Sequence, residues 1–75
     1  TIVYNLPQDG NVSIKIYTLH GELVKTLYDG FEYMGEYGIP WDGRNNSDEL
    51  VASGIYLVHI KASGISQSKK VCVLK

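Results

Sequence analysis

With 75 residues, seven Lys and Arg against eight Asp and Glu, and a formal charge of −1, the chain has the size of one small domain with no dominant charge. A domain this short buries only about 60% of its unfolded surface, so its large apolar residues are needed inside and little room is left for a substrate cavity of roughly 300 Å³ or more. The scattered cations form no basic stripe to release counterions from phosphates, which argues against nucleic acid, and no stretch approaches the ~20 apolar residues of a membrane-spanning helix.

Period-two alternation runs through the chain. Ile2, Tyr4 and Leu6 share one face of a first strand, and Pro7 ends it because it has no backbone donor for a ladder. Gln8-Asp9-Gly10-Asn11 is turn chemistry. Val12, Ile14 and Ile16 then alternate with Ser13, Lys15 and Tyr17 in a half-buried strand that continues to Leu19. His20-Gly21-Glu22 makes a tight turn in which Gly21 is free to take positive φ, and Leu23 to Tyr28 returns to close the hairpin. Asp29-Gly30 is expected to break that strand, with 31–35 as a connection and a short extended piece between Gly35 and Trp41. Pro40 fits a strand end or a sheet edge. Ile55 to Ala62 is a second strong strand, Ser63-Gly64-Ile65-Ser66 a hairpin loop, and Gln67 to Leu74 the last strand, with Val71 and Val73 on one face and Cys72 on the other.

No window repeats its apolar positions at helical spacing, so no long helix is expected, with at most a single turn around Asp48–Val51. Strands separated by turns at this spacing predict an all-β sandwich of about seven short, mainly antiparallel strands, with a small closed barrel as the alternative. The expected core is Ile2, Tyr4, Val12, Ile14, Ile16, Leu23, Leu27, Trp41, either Ile55 or Tyr56, Val58, Ile60, Val71 and Val73. Trp41 is expected to pack between the sheets.

The chemistry-bearing residues are few. Cys72 is the single cysteine, so no intrachain disulfide is possible, and its apolar neighbours predict a small buried hydrophobe. His20 sits in a turn and His59 on a strand, neither with a second ligand at metal spacing, and no serine, histidine and acid form a nucleophile motif. No catalytic, cofactor-binding or metal-ligating residue is assigned, and no cofactor is expected. Asp42, Asn46 and Asp48 place oxygens at alternate positions as a calcium loop does, but Arg44 puts a cation among them and no bidentate Glu follows, so the segment reads as a turn in which Asp42 and Asn45 bond their own backbone. Tyr17, Tyr28, Tyr33 and Tyr37 offer either a row of rings for stacking on sugars or ring bodies packed on a sheet with wet hydroxyls. Three coplanar exposed rings on one face would favour the sugar.

The segment from Trp41 to Tyr56 is the most distinctive. Trp41, Asp42, Gly43 and Arg44 open a wide polar loop, and Ser53 and Gly54 launch the strand that carries Tyr56. Together with Val12-Ser13-Ile14-Lys15-Ile16-Tyr17, then Gly21-Glu22-Leu23-Val24 and Leu27, this pattern resembles the immunoglobulin-like domain of flagellar hook-capping proteins and the related C-terminal sorting domains of type IX secretion. The closing Lys70-Val71-Cys72-Val73-Leu74-Lys75 is similar to the final strand of those modules, and the likeness runs from Ile2 to Lys75. It implies an immunoglobulin-like β-sandwich, residues 1–75 forming a single C-terminal accessory domain excised from a longer secreted or surface protein, itself often a glycoside hydrolase or protease. It further implies a non-catalytic role in sorting or surface attachment, with the other domains of the parent protein and the secretion machinery as partners. Lys69, Lys70, Val71, Val73 and Lys75 are the candidate recognition strand, since an edge strand offers unpaired backbone groups. A passive spacer beside a catalytic domain and a carbohydrate-binding module are the alternatives.

Overall fold

A computed structural model describes residues 1–74, and Lys75, the last member of the expected recognition strand, lies outside the described residues. Six strands follow in order: β1 Ile2–Leu6, β2 Gly10–Tyr17, β3 Leu23–Glu32, β4 Gly35–Ile39, β5 Gly54–Ala62 and β6 Ile65–Val73. β1 and β4 form a two-stranded antiparallel sheet, and the other four form an antiparallel sheet in the order β3-β2-β5-β6. The two sheets pack as a sandwich. The barrel alternative is overturned, because the strands fall into two separate sheets.

Alternation sets the core. Ile2, Tyr4 and Leu6 project from β1 toward Val12, Ile14 and Ile16 on β2 and Tyr56, Val58 and Ile60 on β5, and all nine are buried. The register places Ile14 opposite Ile60 and Ile16 opposite Val58, so β-branched side chains meet across the two central strands. Burying a side chain of this kind contributes roughly 1.5–3 kcal/mol. Val24, Leu27, Tyr28, Tyr37, Ile39, Trp41, Val71 and Val73 are half-buried around that centre.

Several expectations are corrected. There are six strands among the described residues rather than about seven, because the stretch after Trp41 stays a loop with only an isolated bridge between Arg44 and Leu50. That loop contains no helical turn at Asp48–Val51. Asp29-Gly30 does not break β3, since Gly30 pairs with Val12 inside the ladder and the strand continues to Glu32. The ladder between β2 and β3 slips at Ile14/Lys15 and again at Ile16/Tyr17, and these bulges carry Leu23 to a place opposite Tyr17, where it is exposed rather than core. On β5 the inward residue is Tyr56, leaving Ile55 exposed. The last hairpin turns on Ser63-Gly64 alone, with Ile65 already in β6. Cys72 is exposed, not a buried hydrophobe: Val71 and Val73 take the covered face and Cys72 the outer one.

Candidate functional site: two edges of one sheet

The sheet has two edges, β3 and β6, and the Trp41–Tyr56 segment is built around the first. Trp41 is half-buried at one end of the sandwich, not fully between the sheets; its ring meets Tyr56 edge-on at 5.6 Å and its indole N–H donates to Arg44 O at 2.9 Å. Asp42 Oδ1 accepts from Arg44 N at 3.0 Å, and Gly43, at φ 76°, turns the chain so that its carbonyl accepts from Val51 N. Asn45 Oδ1 accepts from Ser47 N at 2.9 Å and Glu49 N at 3.0 Å. Asp48 takes a left-handed φ of 61°, a conformation Asp tolerates, and presents its carbonyl to Arg44 Nη1 at 2.8 Å. Arg44 Nε lies 4.0 Å from Asp42 and 3.9 Å from Asp48, exposed contacts that contribute little. The guanidinium thus occupies the middle of the loop, where a calcium ion would need a third oxygen, and no group of three or more His, Cys, Asp or Glu able to hold a metal occurs among the described residues.

The loop ends against the backbone of β3. Asn46 N donates to Val24 O at 3.0 Å, and Thr26 N donates to Asn46 Oδ1 at 3.1 Å. One asparagine therefore satisfies two edge groups, much as another strand would. Sequence reasoning weighed Asn46 as a candidate calcium oxygen and preferred a turn, and a polar residue in a polar loop gives no signal of what it will reach. Ser53 and Gly54 then lead into β5, and the Tyr56 hydroxyl donates back to Ala52 O at 2.7 Å. That bond has the form of the tyrosine corner found in immunoglobulin-like sandwiches.

The family model for the FlgD Ig-like domain matches residues 1–65. The chain belongs to that family. No curated protein and no solved structure matches it. As a FlgD Ig-like domain it is an immunoglobulin-like module of a non-catalytic family. A depression of about 480 Å³ lies over Trp41 between the start of β1 and the end of β6. Among the described residues Asp42 is the single acid there and no histidine lines it. The two histidines stand apart, His20 in its turn and His59 on the outer face of β5, where its Nε2 lies 3.2 Å from Ser66 Oγ.

The second edge differs. On β6, Ser66, Gln67, Ser68, Lys69 and Lys70 are all exposed, while Val71 and Val73 pack partly against the core. Lys70 stands opposite Leu57 on the outer face. Lys69 reaches the other way and donates to Val3 O on β1 at 2.7 Å, tying the two sheets together along this side. The family match ends at Ile65, so Lys69 to Val73 lie beyond it.

Of the four tyrosines weighed for sugar stacking, two are tied to backbone. The Tyr28 hydroxyl donates to Phe31 O and the Tyr37 hydroxyl to Tyr33 O, both rings being half-buried. Tyr37 stacks at 5.5 Å on Tyr4 inside the sandwich, and Tyr33 meets Phe31 at 89°, so these rings make no coplanar platform. Tyr4 donates to Glu32 Oε1 at 2.8 Å, and burial first, then this carboxylate, push its hydroxyl well above the usual tyrosine range. Tyr37 is raised as well, by burial and then by the charge of Glu32.

Proposed function

We propose that this chain is an accessory module of an exported bacterial protein and acts in secretion sorting or cell-surface attachment through protein–protein contacts, with β6 as the strand that is recognised. The observation supporting this is the contrast between the edges: β3 is capped by Asn46 at Val24 and Thr26, while β6 carries Lys69 and Lys70 on a strand with no neighbour on its outer side among the described residues. An uncapped edge pairs with an incoming strand through its backbone and selects it by side chains. A fusion of residues 1–75 to a signal peptide and reporter, expressed in a host with type IX secretion and then fractionated, tests the sorting reading. The reporter is expected at the surface or in the medium. A folded reporter left in the periplasm would remove it.

The second reading is a passive spacer beside a catalytic domain. The bond from Lys69 to Val3 O favours it, because it uses one of the two lysines to close the seam between the sheets. In that case the lysines serve only to keep edges from pairing at random.

A further inference from the structure

The corner joining β3 to β4 carries an apolar cluster that neither edge uses. Phe31, Tyr33 and Met34 are 53%, 70% and 64% exposed. Their backbone is nevertheless fixed from three sides. The Tyr28 hydroxyl donates to Phe31 O at 2.7 Å, the Tyr37 hydroxyl donates to Tyr33 O at 2.6 Å, and Met34 N donates to Asp9 Oδ1 at 2.6 Å. The Phe31 and Tyr33 rings lock against one another edge-to-face at 5.2 Å. Large apolar side chains held out in water on an ordered backbone are the pattern of a contact surface, because little freedom remains to be lost on binding.

The charges around this corner are of one sign. Asp29 lies two residues before Phe31, Glu32 beside it, Glu36 two residues after Met34, and Asp9 under the Met34 amide. These are four of the eight acids of the chain. Among the described residues the ion pairs both belong to Arg44, at the other end of the molecule, and none involves these four. By register the nearest lysine to Asp29 on the outer face is Lys15, two residues along β2 from Ser13, the partner of Asp29, at roughly 8 Å on the diagonal. It lies four residues along β2 from Asn11, the partner of Phe31, and so on the side away from the apolar cluster. Aromatic faces are themselves negative, so rings and carboxylates here attract the same thing.

We propose that the 31–34 corner docks a cationic extended segment of a partner protein. An Arg or Lys of the segment stacks on the open face of Tyr33 or Phe31, its methylene stem lies along Met34, Asp29 supplies the opposing charge on the outer face of β3, and Glu36 meets a second cation of the segment on the outer face of β4. Nucleic acid and anionic lipid are repelled by the four carboxylates. A second copy presenting the same corner is repelled likewise, and a sugar ring lacks a flat platform because the two rings stand at 89°. This surface is independent of the reading of β6.

The test is an NMR titration of the folded chain with a short, end-blocked peptide of alternating Arg and Ala, beside a matched peptide of alternating Glu and Ala. The Arg peptide is expected to give saturable shifts centred on the amides of 31–34, weakening as salt is raised, and the Glu peptide none. Phe31→Ala with Tyr33→Ala is expected to weaken binding about tenfold without loss of the folded spectrum. Asp29→Asn with Glu36→Gln removes no apolar packing, so it stands as a second variant that is expected to weaken binding and flatten its salt dependence. No saturable shift, an equal response to the Glu peptide, shifts centred on β6, or undiminished affinity in both variants would overturn the proposal. Partition onto neutral phosphatidylcholine vesicles in place of peptide binding would also overturn it, by making the corner a membrane anchor.

Discussion

β3 and β6 are the two margins of one sheet, and they are protected by different means. β3 is covered by the chain itself: the loop that begins at Trp41 brings Asn46 to Val24 and Thr26, and residues 24–28 are all half-buried. β6 has no such cover, and its protection is charge, with Lys69 and Lys70 set among exposed serines and a glutamine. A cap built into the chain is always at hand, whereas lysines deter pairing but can be met by a partner that neutralises them. The difference explains why the most distinctive stretch of the sequence is structural. Its aspartates, asparagines and arginine spend their hydrogen bonds on one another and on a strand edge, leaving the less distinctive strand as the accessible one.

The largest expected effect comes from removing the anchor of the cap. Trp41→Ala deletes the ring against Tyr56 and the donor to Arg44 O, and because Trp41 is only half-buried the loss is expected near the lower end of the aromatic range, about 3 kcal/mol. Small domains have only about 5 kcal/mol or somewhat more to lose, so the unfolding midpoint in urea falls steeply. An unchanged midpoint would mean that the loop is not what holds the β3 side. Asn46→Ala is the sharper test. It leaves the loop's anchor intact and strips the acceptor from Thr26 N, for an expected loss of about 1 kcal/mol. Amide exchange at Thr26 is then expected to rise about fivefold while exchange along β6 is unchanged. Equal acceleration at both margins would erase the distinction between them.

The alternation of Val12, Ile14 and Ile16, and of Tyr56, Val58 and Ile60, made the central strands legible in the sequence, because burial on one face only leaves a period of two. What was not legible came from the margins. Gly30 looks like a breaker by propensity, but it lies opposite Val12 in the ladder, where pairing decides. Leu23 reads as core until two bulges in the ladder turn it outward, and nothing in the residues announces a bulge. Alternation puts Cys72 on the face away from Val71 and Val73, as observed. Its apolar neighbours mislead about burial, because a two-stranded sheet shields only one side of a four-stranded one. The cap by Asn46 and the reach of Lys69 to β1 join residues far apart in the chain, which local pattern does not encode.

Alkaline pH separates the two sides of the sandwich in another way. Tyr4 is linked to the end of β3 through Glu32, and its hydroxyl titrates higher in the folded chain than in the unfolded one. The stability that follows is fully present below the unfolded value of about 10 and is lost as pH rises from there toward the folded value, at up to about 1.4 kcal/mol per pH unit. Tyr4→Phe removes this proton linkage, so its stability is expected to fall less steeply above pH ~10 than that of the parent chain, as followed by urea unfolding at a series of pH values. Parallel curves for the two would show that Tyr4 is not the titrating link.

The smallest change in stability is expected at the two lysines of β6. Lys69→Ala with Lys70→Ala removes one exposed bond to Val3 O and two solvated charges, so the unfolding free energy is expected to move by about 0.5 kcal/mol or less. What the pair restrains is pairing along β6, and without it the backbone of 65–73 faces solvent with no charge to deter a neighbouring strand. Sedimentation is therefore expected to show concentration-dependent association for the double variant at near-wild-type stability, whereas Asn46→Ala loses stability first. A double variant that remains monomeric and is destabilised as strongly as Trp41→Ala would show that the lysines are a structural clamp, making β6 a closed margin like β3 and favouring the spacer.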